Sequence, residues 1–578
     1  MADTSSSYSV PIEAANVFRN GLLASPLTQK HLLDGLLEDY AHTVSFEGPD
    51  DPILPVNWRF AESMSALKAL EAVYVNVILD RLYGVAPQKV KINTNHVILF
   101  IMSLQLWSLD PEGRNVTFMD TRADQDAKDF YLGMFEDFDY YRSLDGPYRC
   151  CTSSIYRTAD DKFFHLHGSL NPDVVLKMLK LPAQPPNDDD QFQRVLPVFR
   201  AALAQWKADD IDNLSNNVIK TAGATCHSLE QFRETDTYRA NKHVGLWETF
   251  PANQHQQPCW WTNNAGEKPS DPSRPLAGLK VLDATRIIAG PAVTRGLAEL
   301  GATVLRITSR TVPDATIYHP EFNWGKRNAS LDFQSEADRA TFKKLILECD
   351  VFVSSYRPSV MEKWGFGADE VLELCKQRDK GIIVVRLNSY GWNGPMRERS
   401  GWQQISDAHT GVSWEFGRAM GNEEPVTPLF PNSDFCTGVS GICSVLDALV
   451  RRAEKGGSYK INLALDYYNN WLTRNVGVYP EPVWKKLHRH YGAPVFRHDD
   501  HMLVLIGKVS ALLQKHSPEI FDPQYLENRP CPNLGISIQT VKPVLRFDHV
   551  VRPGFDIGTR GNGVDEPTWT ESRCQVRA

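Results

Sequence analysis

Long apolar runs, paired cysteines and an excess of basic charge are all missing from this chain of 578 residues. Its most apolar stretch, Val97 to Met102, is far shorter than the roughly 20 residues that span a bilayer, so a membrane partner is not expected. The ten cysteines are scattered apart from adjacent Cys150 and Cys151, with no C-x-x-C pair and no zinc-like spacing. That excludes a disulfide scaffold and predicts reduced, mostly buried thiols. Sixty-two Lys and Arg against 70 Asp and Glu leave a net charge of -8, which argues against a broad cationic footprint for nucleic acid while leaving room for a local phosphate site. The first residues lack a basic segment followed by an apolar one, and the final Val-Arg-Ala is not an S-K-L address. A soluble, cytoplasmic protein is the expectation.

Familiar nucleotide and hydrolase signatures are missing too: no G-x-x-x-x-G-K-[ST], no G-x-G-x-x-G after a strand, no H-E-x-x-H and no G-x-S-x-G. Kinase, classical dehydrogenase, zincin and serine hydrolase chemistry lose their support. His488, His490, His498 and His501, with Asp499 and Asp500, form a donor-rich stretch, but their spacing matches no familiar ligand set. A strand-and-turn surface is the better account, and no metal is expected.

What is present is an ordinary globular composition, 42% hydrophobic and 23% charged, long enough for roughly three or four domain-sized units. The Gln-, Asn- and Pro-rich stretch from Asn253 to Pro275 interrupts the apolar periodicity and marks the main boundary, and Pro182 to Asp190 marks a loop inside the first half. Beyond the boundary, strand-length runs at Leu279–Ala284, Thr303–Ile307, Val351–Ser354 and Ile382–Leu387 alternate with helix-sized segments. That rhythm predicts an α/β fold with a parallel sheet covered on both faces. Three short correspondences suggest a degenerate internal duplication. Leu54–Phe60 parallels Leu429–Phe435, Val90–Asn93 answers Tyr459–Asn462, and Asp160–Phe164 answers Asp499–Leu503.

Asp283-Ala284-Thr285-Arg286-Ile287-Ile288-Ala289-Gly290-Pro291 reads as a strand end turning into a helix, a place where backbone N–H groups face a ligand. After it come Leu300–Ile307, Gly325–Asp332, Ser355–Val360 and Ser389–Pro395 in succession. Together these segments resemble the CaiB/BaiF-type, family III CoA-transferases, over about Pro275 to Asn470, with a weaker echo across Val56 to Glu248. The resemblance implies a Rossmann-like sheet domain plus a small α+β domain, in an architecture whose paired chains interlock. On that basis the chain divides into a degenerate transferase-like half (1–252), a linker (253–275), a CoA-binding and catalytic domain (276–475) and a shortened small domain with a return segment (476–578). Assembly is then either a homodimer or a pseudo-dimer folded within one chain.

The resemblance also assigns roles. Ser433-Asp434-Phe435 occupies the place of the family's catalytic carboxylate, so Asp434 is the expected nucleophile; as a residue type ahead of a helical run it is equally an N-cap, and the two roles are compatible. CoA, a substrate rather than a resident cofactor, would meet Ile287, Ile288, Arg310, Ser355, Tyr356 and Lys363, the basic residues taking phosphates. Gly401-Trp402-Gln403 puts Trp402 where the related racemases carry a histidine, which favours CoA exchange over racemisation. Gly438 and Gly441 would admit a ligand or a second backbone. No glycine-rich covering loop is evident, and Arg59 stands at the repeat position matching Asp434. The implied reaction moves CoA between an acyl-CoA and a small carboxylic acid; an α-methylacyl-CoA racemase and a CoA-binding protein without turnover are the alternatives.

Overall fold

The computed structural model describes residues 8–33, 36–185, 190–262 and 271–569. Parts of the expected loop (186–189) and linker (263–270), and both chain ends, lie outside the described residues. Seven strands form the main sheet: β1 (Trp247–Ala252), β2 (Lys280–Ala284), β3 (Thr303–Thr308), β4 (Lys326–Ser330), β5 (Val351–Ser354), β6 (Ile383–Asn388) and β7 (Ser458–Ala464), in the order β4-β3-β2-β5-β6-β7-β1. Neighbours are parallel except β1, which runs antiparallel to β7 at the edge. The expected α/β class and parallel sheet are what the chain adopts.

Side chains alternating along the central strands feed two cores, which is why these strands read as continuous apolar runs. Val281 and Val353 face the helices Ala289–Glu299 and Asn432–Lys455, while Leu282 and Phe352 face Phe342 and Val371 on the other side. The helix Asn432–Lys455 is long and apolar enough to cross a membrane, yet 94% of its apolar window is buried within the protein. Its covering layer comes from the first half, where the helix Phe60–Ile78 is buried along its whole length. Nine described cysteines are unpaired, and eight are buried.

Within the first half, the helix Phe60–Ile78, strand Val90–Asn93 and helix Thr94–Met102 follow the same order as Asn432–Lys455, β7 and the helix Leu465–Trp471. The third expected correspondence fails. Phe163–His167 is a strand, whereas Met502–His516 is a helix whose N-cap His501 accepts a hydrogen bond at Nδ1 from the Leu503 N–H at 3.2 Å. Nor is the histidine-rich stretch a strand-and-turn surface: His488 and His490 ride on the helix Glu481–His490. His498 pairs with Glu424 at 2.9 Å, Asp499 with Arg200 and Asp500 with Lys508.

Residues 526–569 return to the first half. Ile538 of the strand Ile536–Val541 pairs with Leu109, Phe547 with Val90, and Asp565 bridges to Ala329 of β4. Strand β1, ahead of the expected linker, completes the sheet that follows it. Arg59 sits at the N-cap of Phe60–Ile78, with its guanidinium 2.7 Å from Glu13.

Candidate active site

From β2 the chain proceeds to β3 on one side, and from β5 to β6 on the other, so the crevice beyond the carboxyl ends of β2 and β5 is the switch point where α/β sheets place ligands. The turn after β2 is fixed from behind. Asp283 accepts hydrogen bonds from the Thr285 N–H (2.9 Å), the Thr294 hydroxyl (2.6 Å) and the Lys326 ammonium (3.0 Å), all buried. Burial lowers the Lys326 pKa to about 8 against the pull of the Asp283 charge. Held this way, Ile287 takes φ +74°, a left-handed conformation a β-branched residue adopts only under constraint. Gly290 is needed where the two turns meet, since a Cβ there would lie 2.6 Å from Ser355 Oγ. The Arg286 N–H donates to that same oxygen at 3.3 Å.

The crevice holds about 1030 Å³ of free space and is lined by Arg286, Ser355, Tyr356, Arg357, Arg399 and Gly401, among others. Arg286 donates to the Pro313 carbonyl at 2.7 Å and lies 4.9 Å over the Tyr356 ring. Arg357 donates to the Lys220 carbonyl at 2.7 Å and is otherwise exposed, and Arg399 pairs with Asp212 at 3.0 Å.

A second cavity, of about 1050 Å³, opens beside it and contains Asp434. The turn that delivers this residue has Phe430 at φ +57° and Pro431 at the N-cap of Asn432–Lys455. Asp434 is therefore the third residue of the helix and does not cap it. The first bond of the helical ladder runs from the Phe435 N–H to the Pro431 carbonyl at 3.0 Å. The N–H groups of Asn432, Ser433 and Asp434 precede it, at the positive end of the helix.

The Asp434 carboxyl lies partly open to the cavity, and no described side chain donates a hydrogen bond to it. Behind it is a second carboxyl, Asp407, which accepts from Asn469 Nδ2 (2.9 Å) and Gln403 Nε2 (2.9 Å) and lies 2.8 Å from the Ser433 hydroxyl. Burial raises the Asp407 pKa to about 6, its three donors working against the shift. Burial, reinforced by the Asp407 charge, pushes Asp434 well above the ordinary carboxylate range.

Four residues line both cavities and form the neck between them: Ser169, Leu170, Ile287 and Trp402. The Trp402 indole donates to Ser169 Oγ at 3.0 Å and stacks on His167, with ring centroids 5.3 Å apart and planes 11° from parallel. Ser169, Leu170 and His167 belong to the first half, so one wall of the Asp434 cavity comes from outside the sheet domain.

Residues 276–500 match the family described as CoA-transferase family III. Acetyl-coenzyme A transferase nodX of Hypoxylon pulicicidum is 43% identical over 571 residues, which cover 98% of this chain and 94% of that protein. The chain belongs to CoA-transferase family III. An acyl-CoA transferase of Gibberella moniliformis is 29% identical, with 87% of each chain covered. A crystal structure of a CaiB/BaiF family protein from Brucella suis is 18% identical, with a TM-score of 0.38, over 50% of this chain and 96% of that one.

In this family III chain, the structure brings Ile287, Ile288, Ser355, Tyr356 and Trp402 to the two joined cavities with Asp434. Arg310 and Lys363 are not brought there. Arg310 turns away to Glu136 at 2.8 Å, and Lys363 is exposed, its ammonium 4.9 Å over Trp364. Gly438 and Gly441 face no ligand: a Cβ on either would lie 2.5 Å from Ala292 or Val293, so they seat the helix Ala289–Glu299. Arg286, Arg357 and Arg399 also line the crevice, the first two standing inside the recognised turns, and no local pattern marks any of the three as a ligand of phosphate. Asp407, His167 and Ser169 carried no local signal, because only the tertiary fold sets them against Asp434 and Trp402.

Proposed function

We propose that this CoA-transferase moves CoA from an acyl-CoA to a carboxylic acid through covalent intermediates on Asp434. The observation that carries the reading is a carboxylate without a hydrogen-bond donor, at a helix N-terminus, in a cavity joined by a narrow neck to the switch-point crevice. The nucleotide end of CoA occupies the crevice, where Arg286 and Arg357 offer cations to its phosphates. The pantetheine arm passes Ile287 and Trp402, and the thioester reaches Asp434.

Asp434 attacks the thioester carbonyl carbon; the C–S bond breaks, and CoA leaves as thiolate from a mixed anhydride. The thiolate then attacks the carbonyl carbon of Asp434, forming an aspartyl-CoA thioester and releasing the first acid as carboxylate. An incoming carboxylate repeats the two steps in reverse order, giving the new acyl-CoA and free Asp434. Charge balances at each step, and water takes no part. The positive end of the helix that carries Asp434 favours the oxyanion charge that builds up during each attack. Trp402 and the wall from the first half keep the anhydride from water.

Mass-spectrometric exchange tests the reading. The protein and its Asp434→Ala variant are each incubated with a panel of acyl-CoAs and free acids. New acyl-CoA species formed by the unmodified protein alone support it; exchange that survives in the variant removes Asp434 as nucleophile.

A further inference from the structure

The cavity around Asp434 has an unusual charge inventory for a site that must hold an acid. Its apolar lining comes from Leu104, Phe118, Leu144, Leu170, Leu503 and Ile506, drawn from the first half and from the helix Met502–His516. The remaining polar groups are hydroxyls and amides, among them Ser143, Ser153, Gln105, Gln403 and Gln404. No lysine or arginine lines it among the described residues.

The two histidines present do not supply a cation. His167 Nδ1 accepts from the Ser169 N–H at 2.9 Å, and His501 Nδ1 accepts from the Leu503 N–H at 3.2 Å. A ring nitrogen that accepts carries no proton, so both imidazoles are neutral. Burial agrees, lowering both pKa values to about 3. Among the described residues lining the cavity, Asp434 is thus the one carboxyl, and no cation faces it.

From this we infer that the transferred acyl group carries no charge of its own: the acid exchanged is a monocarboxylic acid with an apolar body. The inference rests on the proposed role of Asp434 and specifies the substrate of that same site. While the reacting carboxyl is consumed in the anhydride, the rest of the acyl group must sit in this cavity. A second carboxylate there would be desolvated without a cation, and in the complex that precedes attack it would also lie beside the Asp434 charge, which is unfavourable on both counts. An apolar chain buries against the six side chains named above.

Cations stand in an adjoining polar cleft. Arg122 donates there to the Leu144 carbonyl at 2.7 Å, and it shares the cleft with Lys128 and Arg142 as well as with Asp124, Asp137, Asp139 and Asp145. Four carboxylates against three cations leave that cleft no excess of positive charge.

The test pairs acids of equal length: hexanoate with adipate, and butyrate with succinate, as acceptors from acetyl-CoA. At least a 100-fold higher kcat/KM for each monocarboxylate is expected, with hexanoate ahead of butyrate. In Ile506→Arg or Leu503→Arg the ratio should fall at least tenfold, because either variant adds the missing cation. A dicarboxylate used within tenfold of its partner overturns the inference, and loss of that use in Arg122→Ala would trace it to the neighbouring cleft. A thermal-shift titration with the free acids reads the same preference without turnover. Equal stabilisation by hexanoate and adipate likewise overturns it. Absence of exchange with every acid, in protein that still prefers hexanoate by thermal shift, would overturn the transferase chemistry and leave the charge preference standing.

Discussion

Asp434 and Asp407 show how two neighbouring carboxyls divide their work. Asp407 is saturated with donors and buried, whereas Asp434 faces the cavity with none. Replacing Asp434 with Ala should lower exchange by roughly 10⁴-fold or more while leaving CoA binding in place, measured by transferase assay and by equilibrium titration. Because the nucleophile is the ionised form and its pKa is raised, kcat/KM should fall on the acid side at a pH above the usual carboxylate range. Asp407→Asn removes one cause of that shift and should move the acid limb downward. An acid limb at the same pH in both proteins would disprove the coupling. At the neck, Trp402→Ala should raise hydrolysis of acyl-CoA relative to transfer, counted as free acid and free CoA released per new thioester.

Among the elements, the helices Ala289–Glu299 and Asn432–Lys455 carry the turn proposed to hold CoA on one N-terminus and Asp434 on the other. Gly438 and Gly441 let them approach closely, with Ala292 and Val293 filling the space a Cβ would need. Alanine normally gains about 1 kcal/mol over glycine inside a helix. Here the 2.5 Å approach to Ala292 should outweigh that gain, so Gly438→Ala is expected to destabilise by about 1–3 kcal/mol in urea unfolding. A stabilised variant would show that the helix pair yields easily. This pair was only half legible in the sequence. The strands β2, β3, β5 and β6 stood out because burial on both faces makes them uniformly apolar. Strand β4, with Lys326, Arg327 and Asn328, hid because its polar groups are tied into the fold: the Lys326 ammonium reaches Asp283 beside the turn after β2, the Arg327 guanidinium the Trp569 carbonyl, and the Asn328 backbone N–H the Asp565 carboxylate. Asp434 was legible through its motif, but its position inside the helix was not, since an Asp at the cap and an Asp at the third residue leave the same pattern of neighbours. The arginines of the crevice and the wall from the first half depend on contacts between residues more than 100 positions apart, which no local pattern records.

For the whole molecule, buried titratable groups set the response to pH. Burial lowers the pKa of His96 and His165 to about 4 and of His167 and His501 to about 3, so the folded protein binds fewer protons than the unfolded chain below the ordinary histidine value of about 6.5. Their contribution is complete above about pH 6.5 and is lost as pH falls toward the folded values. Asp407, raised to about 6, works the other way: its contribution is complete below about pH 4 and is lost as pH rises through 6. Asp434 and Asp466, raised well above the ordinary carboxylate range by burial, act in the same sense as Asp407, while His31, lowered to about 4, and His409, lowered well below its ordinary value, join the four histidines, so six strongly shifted histidines stand against three strongly shifted aspartates. The urea midpoint should therefore drop on acidification from pH 7.5 to pH 5. A flat or rising midpoint would mean the histidines are hydrated in solution.

The return of residues 526–569 to the first half also has a consequence in time. During synthesis, Val90 and Leu109 leave the ribosome more than 400 residues before their strand partners Phe547 and Ile538. The helix Phe60–Ile78, buried throughout, waits almost as long for Asn432–Lys455. A nascent chain must therefore carry an unfinished apolar surface through most of its translation, and the reaction chamber, whose walls come from both early and late segments, is among the last parts of the enzyme to close.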